Sequence, residues 1–462
     1  MGRVSVREAD ARTAHADGVE RLLASYRALP DASAVRLAKP TSNLFRPRVP
    51  ADAAGLDTSG LTHVMAVDPE ARTADVAGMC TYEDLVAATL PYGLTPLVVP
   101  QLKTITLGGA VTGLGIESAS FRNGMPHESV LELDILTGAG ELVTASPDEH
   151  ADLFRAFPNS YGTLGYAVRL RIELEPVQPF VALTHVRFHA LVDLVAEMDR
   201  IVETGLHDGE RIDYLDGVVF SADESYLCLG RQTAASGPVS DYTRQRIFYR
   251  SMQHDDGELH DRLTIHDYLW RWDTDWFWCS EGFGAQHPLV RRLWPRRYRR
   301  SRSYWKLMRI ARRYGIADAI ERLKRRPPRE WVIQDIEVPI GRTVEFLDWF
   351  LENVPIEPIW LCPVRMRDDD GWSLYPLRPR ETYVNVGFWS TVPVGATPGE
   401  TNRRIEQQVG ELDGHKSLYS DAYYPREEFD ARYGGDAYRA VKGRYDPDGR
   451  LLDLYEKAVQ RR

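Results

Sequence analysis

The sequence predicts an α+β fold in two domains, the second a cap of antiparallel strands with helices on one face, and three observations carry that prediction. At 462 residues the chain is too long for one ordinary core, so two domains of roughly 150 to 250 residues are expected. Val168, Leu170, Ile172 and Leu174 alternate with Arg169, Arg171 and Glu173, the period of a half-exposed antiparallel strand. A strand–helix–strand–strand order over 181–229 returns over 331–367, the unit of a sheet covered by helices on one side. Pro176 and Pro179 punctuate the chain between the halves, which puts the boundary near residue 178 and the domains at 7–178 and 179–462.

Taken in order, Val19, Leu22, Leu23 and Tyr26 fall at helical spacing and predict an amphipathic helix over 13–28. Strands over 63–67 and 73–76 flank the turn Asp68-Pro69-Glu70. Thr81 followed by Asp84 reads as a capping box opening a helix to Leu90, and Leu97, Val98 and Val99 as a short buried strand. Residues 130–136 and 141–144 flank Thr137-Gly138-Ala139-Gly140 as a hairpin. Ser146, Pro147 and Glu149 then stand in the order of a helix start, and that helix is expected to run to Phe157. In the second half, strands are expected over 181–188, 214–220, 226–229, 331–338, 359–367 and 383–389, with helices over 191–202 and 343–351.

The segment 100–124, PQLKTITLGGAVTGLGIESASFRNG, is the densest in glycine, with Gly108, Gly109, Gly113, Gly115 and Gly124 among small or β-branched residues. Such a composition forgoes side-chain packing so that backbone N–H groups can approach a ligand, most simply a phosphate. A P-loop is excluded because its lysine is missing. The dinucleotide fingerprint fails as well: Ser118 stands in place of the third Gly, and 119–126 holds Asn, Gly and Pro where a helix should open. The expectation is therefore a cofactor held by loops between strands, with no helix dipole aimed at it. The loop 39–46 offers a second wall in Thr41, Ser42 and Asn43, flanked by Lys39 and Arg46.

The net charge of −10 argues against a nucleic-acid partner. Cys80, Cys228, Cys279 and Cys362 are too scattered for a zinc site or a disulfide framework and read as buried thiols. No apolar segment suits a signal peptide or a membrane span, and Val6 stands where a myristoylation signal needs Ser or Thr, so a cytoplasmic protein is expected. Residues 265–313 break the pattern, with Trp270, Trp272, Trp276, Phe277 and Trp278 crowded ahead of an Arg-rich run. Two readings stand there: a solvated basic helix over an aromatic core, or an apolar substrate mouth beside a basic face able to sit peripherally on anionic lipid.

The pattern T-x-G-G-x-x-x-G-x-G at Thr106 to Gly115, the turn at Gly124, the hairpin ending at Gly140 and Gly162-Thr163-Leu164-Gly165 together resemble one known domain. It is the two-part, PCMH-type FAD-binding domain of the vanillyl-alcohol oxidase and p-cresol methylhydroxylase family, and the resemblance covers about 7–178. Trp360-Leu361-Cys362-Pro363 and the Tyr-x-x-Arg-Glu-Glu-Phe pattern from Tyr423 to Phe429 are similar to the sterol reductase branch of that family. The resemblance implies that Thr106, Leu107, Gly108, Gly109, Ala110, Val111, Thr112, Gly113, Leu114, Gly115, Ile116, Glu117 and Ser118 wrap the FAD pyrophosphate. It further implies that Thr41, Ser42 and Asn43 form the first phosphate loop, with Gly124 and Gly165 in turns beside the cofactor. Many relatives attach the flavin through a His of that first loop. None lies between 37 and 48, so a non-covalent flavin is expected, with His127 the remaining candidate linker. The segment Val441 to Gly449 is similar to the K-x-x-Y/F-D-P tail in which such chains return to the flavin domain.

For the acid or base beside the flavin, the candidates are Asp421, Tyr423 and Tyr424, with His266 and Tyr383 behind them. Three functions follow. The first is reduction of a carbon–carbon double bond in a sterol-like or other small apolar substrate, with NADPH or NADH as donor. The second is oxidation of a hydroxyl compound on the same scaffold, and the third is flavin binding without turnover. No metal site is expected.

Overall fold

Tyr166–Pro176 is a strand of alternating burial, and the first sheet is assembled on it. The computed structural model describes residues 6–31, 33–39, 45, 55–255, 257–314 and 327–461. Strands β1 (Val64–Asp68), β2 (Thr73–Ala77), β3 (Leu94–Pro96), β4 (Val130–Leu136), β5 (Leu142–Ala145) and β6 (Tyr166–Pro176) form an antiparallel sheet. Its order is β1-β2-β6-β4-β5, with β3 on the C-terminal end of β6. The apolar face of β6 is buried. Its polar face is bonded across the sheet, where Arg169 meets Asp75 of β2 at 2.9 Å and Asp134 of β4 at 2.6 Å. Helix Val6–Arg27 packs Leu22 and Tyr26 against Leu136 and Val168.

Two local expectations give way. Leu97, Val98 and Val99 are buried but form no strand, since pairing with β6 ends at Pro96, which has no N–H to extend the ladder. The Ser146 hydroxyl accepts from the N–H groups of Asp148 (3.3 Å) and Glu149 (3.0 Å) and so closes a turn. His150, at φ 48°, then interrupts the helical path, so the helix spans only Ala151–Ala156.

The second sheet comprises β7 (Phe180–Phe188), β8 (Tyr214–Ser221), β9 (Glu224–Thr233), β10 (Glu258–Thr264), β11 (Arg329–Pro339), β12 (Ile359–Arg365), β13 (Thr382–Pro393) and β14 (His415–Lys416). It is antiparallel, in the order β10-β7-β9-β8-β12-β13-β11-β14. Period-two alternation sends Val332, Ile336, Leu361, Val384, Val386 and Phe388 to one face. There they meet Met198, Phe346, Phe350 and Ile405 of helices Leu191–Thr204, Thr343–Asn353 and Glu400–Glu411. The opposite face carries Cys228, Trp360, Cys362 and Tyr383, which join the core of the first sheet in one continuous apolar cluster. Asp335 and Trp389 alternate onto that same face. No helix among the described residues is long and apolar enough to cross a membrane.

Candidate cofactor and substrate site

The glycine segment contains a helix after all. Leu107–Gly113 is helical, and the Thr106 hydroxyl caps it by accepting from Gly109 N–H at 3.2 Å. Propensity hid it, because glycine in a helix costs about 1 kcal/mol relative to Ala. Close packing requires the glycine at 108: a Cβ there would lie 2.7 Å from the Gly78 carbonyl oxygen and 3.2 Å from Ala167 Cβ. The first-turn donors are spent inside the protein, Leu107 N–H on Cys80 O and Gly108 N–H on Gly78 O, both at 2.9 Å. The donors left over lie at the other end of the helix. Among the described residues, the N–H groups of Leu114, Gly115 and Ile116 have no acceptor, and Leu114 turns the chain there at φ 54°. Consecutive N–H groups at such a turn form an anion-binding concavity.

A cavity of about 390 Å³ runs beside this segment, within the range of cofactor and ligand sites. Thr106, Gly108, Gly109, Ala110, Thr112, Gly113, Leu114, Gly115 and Ile116 line it, as does Gly165. Arg36, Lys39 and Lys457 add positive charge along its wall. Leu107 and Val111 face the core instead. Gly124, at φ 68°, lies away from the cavity in a turn whose N–H groups are capped by Glu128; a Cβ at 124 would collide with that carboxylate. Thr41, Ser42 and Asn43 lie outside the described residues.

Glu117 and Ser118 stand apart from the cavity and tie the two halves of the chain together. Arg271 donates to Glu117 (3.0 Å) and to Asp216 (2.9 Å), with all three side chains buried, and Ser118 meets Tyr268 at 2.9 Å. The indoles of Trp272 and Trp360 also donate to Asp216 Oδ2, at 3.2 and 3.1 Å. Asp216 thereby orients Trp360, which lines the cavity.

None of the five proposed acid–base residues lines the cavity. Asp421 pairs with Arg461 at 3.3 Å, and Tyr423 receives a bond from the same guanidinium at 3.1 Å, which fastens the C-terminal segment. Tyr424 is buried against Tyr433, and burial pushes its phenol up. His266 is exposed beside Asp267, and the Tyr383 hydroxyl bonds to Glu381 and Arg378. His127 is buried edge-on to Trp372, with a ring-centre distance of 4.5 Å, and is not on the cavity.

The carboxyl group that does face the cavity is Asp335 of β11, the only one among the described lining residues. Burial pushes its pKa up to about 7, opposed by hydrogen bonds from Asn385 and Tyr419. The Tyr419 hydroxyl accepts from Trp389 Nε1 at 2.9 Å, which directs its own proton toward Asp335. Gly387 lies directly opposite on β13, and a Cβ there would come within 2.5 Å of Asp335 Oδ1. Only glycine leaves room for that carboxyl. Around it stand Phe45, Trp276, Phe277, Trp360 and Trp389, with Phe277 stacked on Trp389 at 4.4 Å. The sequence did hold a signal for this: Asp335 and Glu337 share one face of a strand with Trp331 and Ile333, flanked by Ile336 and Val338, a setting in which carboxylates are rare unless they are paired.

Known proteins resemble the sequence that builds this site. A family model described as an FAD binding domain matches residues 33–146. Residues 33–146 are therefore similar to an FAD binding domain. The glycine helix and the N–H groups of Leu114, Gly115 and Ile116 behind it, which have no acceptor among the described residues, are the features of this chain that suit the pyrophosphate of such a cofactor. Over most of its length the chain is 25% identical, across 438 residues, to the Delta(24)-sterol reductase homolog of Caenorhabditis elegans, covering 88% of this chain and 79% of that one. It is 25% identical over 425 residues to the Delta(24)-sterol reductase of Homo sapiens, with 86% and 76% covered. Cytokinin dehydrogenase 2 of Oryza sativa subsp. japonica is 31% identical over 160 residues, 34% of this chain and 28% of its own. These likenesses support an FAD-dependent oxidoreductase.

Proposed function

We propose that this protein reduces a carbon–carbon double bond of a flat, apolar, sterol-like substrate, with non-covalently held FAD and NADPH or NADH as electron donor. Asp335 carries the reading: an aromatic chamber joined to the FAD cavity contains one carboxyl group, with a pKa of about 7. FAD bound along Gly108 to Ile116 would supply a hydride equivalent to one carbon of the double bond. Asp335 delivers a proton to the other, and the electron pair of the double bond forms the new C–H bond there. Tyr419 then holds the resulting carboxylate by its hydroxyl, in line with Trp389. Phe277, Trp360 and Trp389 bind the apolar skeleton and keep water from the site. The likeness to Delta(24)-sterol reductases over most of the chain favours this substrate class.

Asp335 as its anion suits the reverse task, removal of a proton from a compound being oxidised, such as a hydroxyl compound, and the likeness to a cytokinin dehydrogenase favours a dehydrogenase as the second reading. Anaerobic titration decides between the readings. Reduction of the flavin by NADPH or NADH, followed by reoxidation with an unsaturated sterol, is the expected result. Flavin left oxidised by both nicotinamides but bleached by hydroxyl compounds would replace the first reading with the second. Acid precipitation should release all the yellow colour; colour in the pellet would show a covalent link.

A further inference from the structure

Residues 288–314 hold eleven cations and no carboxylate, in a chain whose net charge is −10. Two of the cations are used internally. Arg291 is buried against Asp275 at 2.6 Å, and Arg299 is bound to backbone carbonyls including Trp294 O at 3.0 Å. Arg296 and Arg300 approach Asp241 and Glu83 at 3.7 and 4.0 Å, and helix Ser301–Arg313 divides its described side chains by its 3.6-residue period. Ser301, Tyr304 and Met308 are buried, while Arg302, Lys306, Arg309 and Ile310 face outward. Among the described residues, Arg302, Lys306 and Arg309 meet no carboxylate.

The same surface holds apolar side chains in water. Leu289, Leu293, Ile310 and Tyr314 are 67%, 83%, 50% and 70% exposed. One such residue needs no explanation. Here six of the thirteen large apolar residues exposed among those described fall between 289 and 314, so the exposure is concentrated where the positive charge is. Aliphatic side chains set beside Arg302, Lys306 and Arg309, which meet no carboxylate among the described residues, suit the headgroup–acyl boundary of a bilayer. A nucleic acid would use the cations but has no place for Leu289, Leu293 and Ile310.

We propose that residues 288–314 dock on an anionic lipid surface, with Arg302, Lys306 and Arg309 against the headgroups and Leu293 and Ile310 entering the acyl boundary. On the inner side, Tyr304 and Met308 pack in one cluster with Trp276, which lines the cavity, so the docked face and the cavity share a wall. Entry of an apolar substrate directly from the bilayer rests on the function proposed above; the docking does not.

Sedimentation of the FAD-loaded full chain with vesicles tests it, using phosphatidylcholine with and without phosphatidylserine at physiological ionic strength. Binding is expected only with phosphatidylserine. Each cation removed should weaken it about fivefold, so Arg302→Ala with Lys306→Ala and Arg309→Ala should cost about a hundredfold, with flavin content unchanged. Leu293→Ser with Ile310→Ser should cost at least about tenfold at the same salt. Equal sedimentation with both vesicle types would overturn the proposal, as would an undiminished Leu293→Ser/Ile310→Ser variant. Displacement from the vesicles by single-stranded RNA would do the same, by revealing a polyanion site in place of a lipid surface.

Discussion

Replacing Asp335 with Asn removes one proton from the cavity and little else. Asn has nearly the same shape, and its carbonyl can still accept from Tyr419 and Asn385, so the stability of the fold should hold. What goes is the general acid, whose contribution is typically about 10²- to 10⁴-fold in the step it serves. The reaction separates into two halves, each followed through the flavin absorbance under anaerobic stopped flow. Reduction by the nicotinamide should proceed at the wild-type rate, since no proton from Asp335 is required there. Reoxidation by the unsaturated substrate should slow by that factor. The sign of the pH effect follows from a pKa raised to about 7: the acid is protonated and competent below pH 7, and wild-type reoxidation falls as pH rises through that value. In Asp335→Asn that limb disappears. Tyr419→Phe removes a hydrogen bond that favours the anion, so it should move the limb to higher pH. A variant that kept both the wild-type reoxidation rate and its decline above pH 7 would refute the assignment of Asp335.

Three further outcomes are expected. Gly109→Leu should give folded but colourless protein: its Cβ meets only the Thr106 hydroxyl, at 2.8 Å, and the lost cap costs about 1 kcal/mol, largely offset by better helix propensity, while the side chain enters the cavity. Stoichiometric FAD in that variant would remove the phosphate site from this helix. Arg271→Leu leaves the Glu117 and Asp216 carboxylates buried without their shared cation and should destabilise by about 3 to 5 kcal/mol in urea unfolding; a loss below 1 kcal/mol would mean that the triad does not join the two halves. His127 has its pKa lowered by burial to about 3, so the folded state binds fewer protons than the unfolded state between pH 6.5 and 3, and stability falls as pH drops through that window. His127→Phe removes that slope and should gain about 3 kcal/mol on wild type at pH 4 relative to pH 8, as read from unfolding curves at both values.

The strands and helices of both sheets were legible because their alternation is local, as in Val168 to Leu174, and depends on burial that the pattern itself encodes. The cavity wall was legible for a related reason: Gly108 and Gly113 to Gly115 mark backbone that must come close to something. The partner differed at Gly108, where the close neighbour is the Gly78 carbonyl and not a ligand. The helix at 107–113 was not legible, because tertiary contact overrides the poor propensity of its glycines. The carboxyl group that faces the cavity was missed because its surroundings are assembled from β11, β13 and residues 417–419, three segments remote in sequence. Residues 420–424 offered titratable groups in one cluster, but the fold uses Asp421 and Tyr423 to bind Arg461.

Trp276 and Phe277 connect the aromatic chamber to the basic surface through packing. Both are in the left-handed region, at φ 49° and 56°, where bulky side chains are rare and each costs of order 1 to 3 kcal/mol. Such a pair persists only where packing over-determines it. Phe277 is held between Trp389 at 4.4 Å and Trp272 at 4.8 Å, and Trp276 is stacked on Phe45 at 5.7 Å and lies parallel to Tyr304 at 6.5 Å. Tyr304 belongs to the basic helix, so the packing that sustains the strained pair comes partly from the element proposed to meet lipid. A helix that shifted on docking would release or tighten Trp276, and through it the aromatic wall opposite Asp335. Two strained aromatic residues held by packing in the cavity wall suit the preformed substrate chamber of the function proposed above.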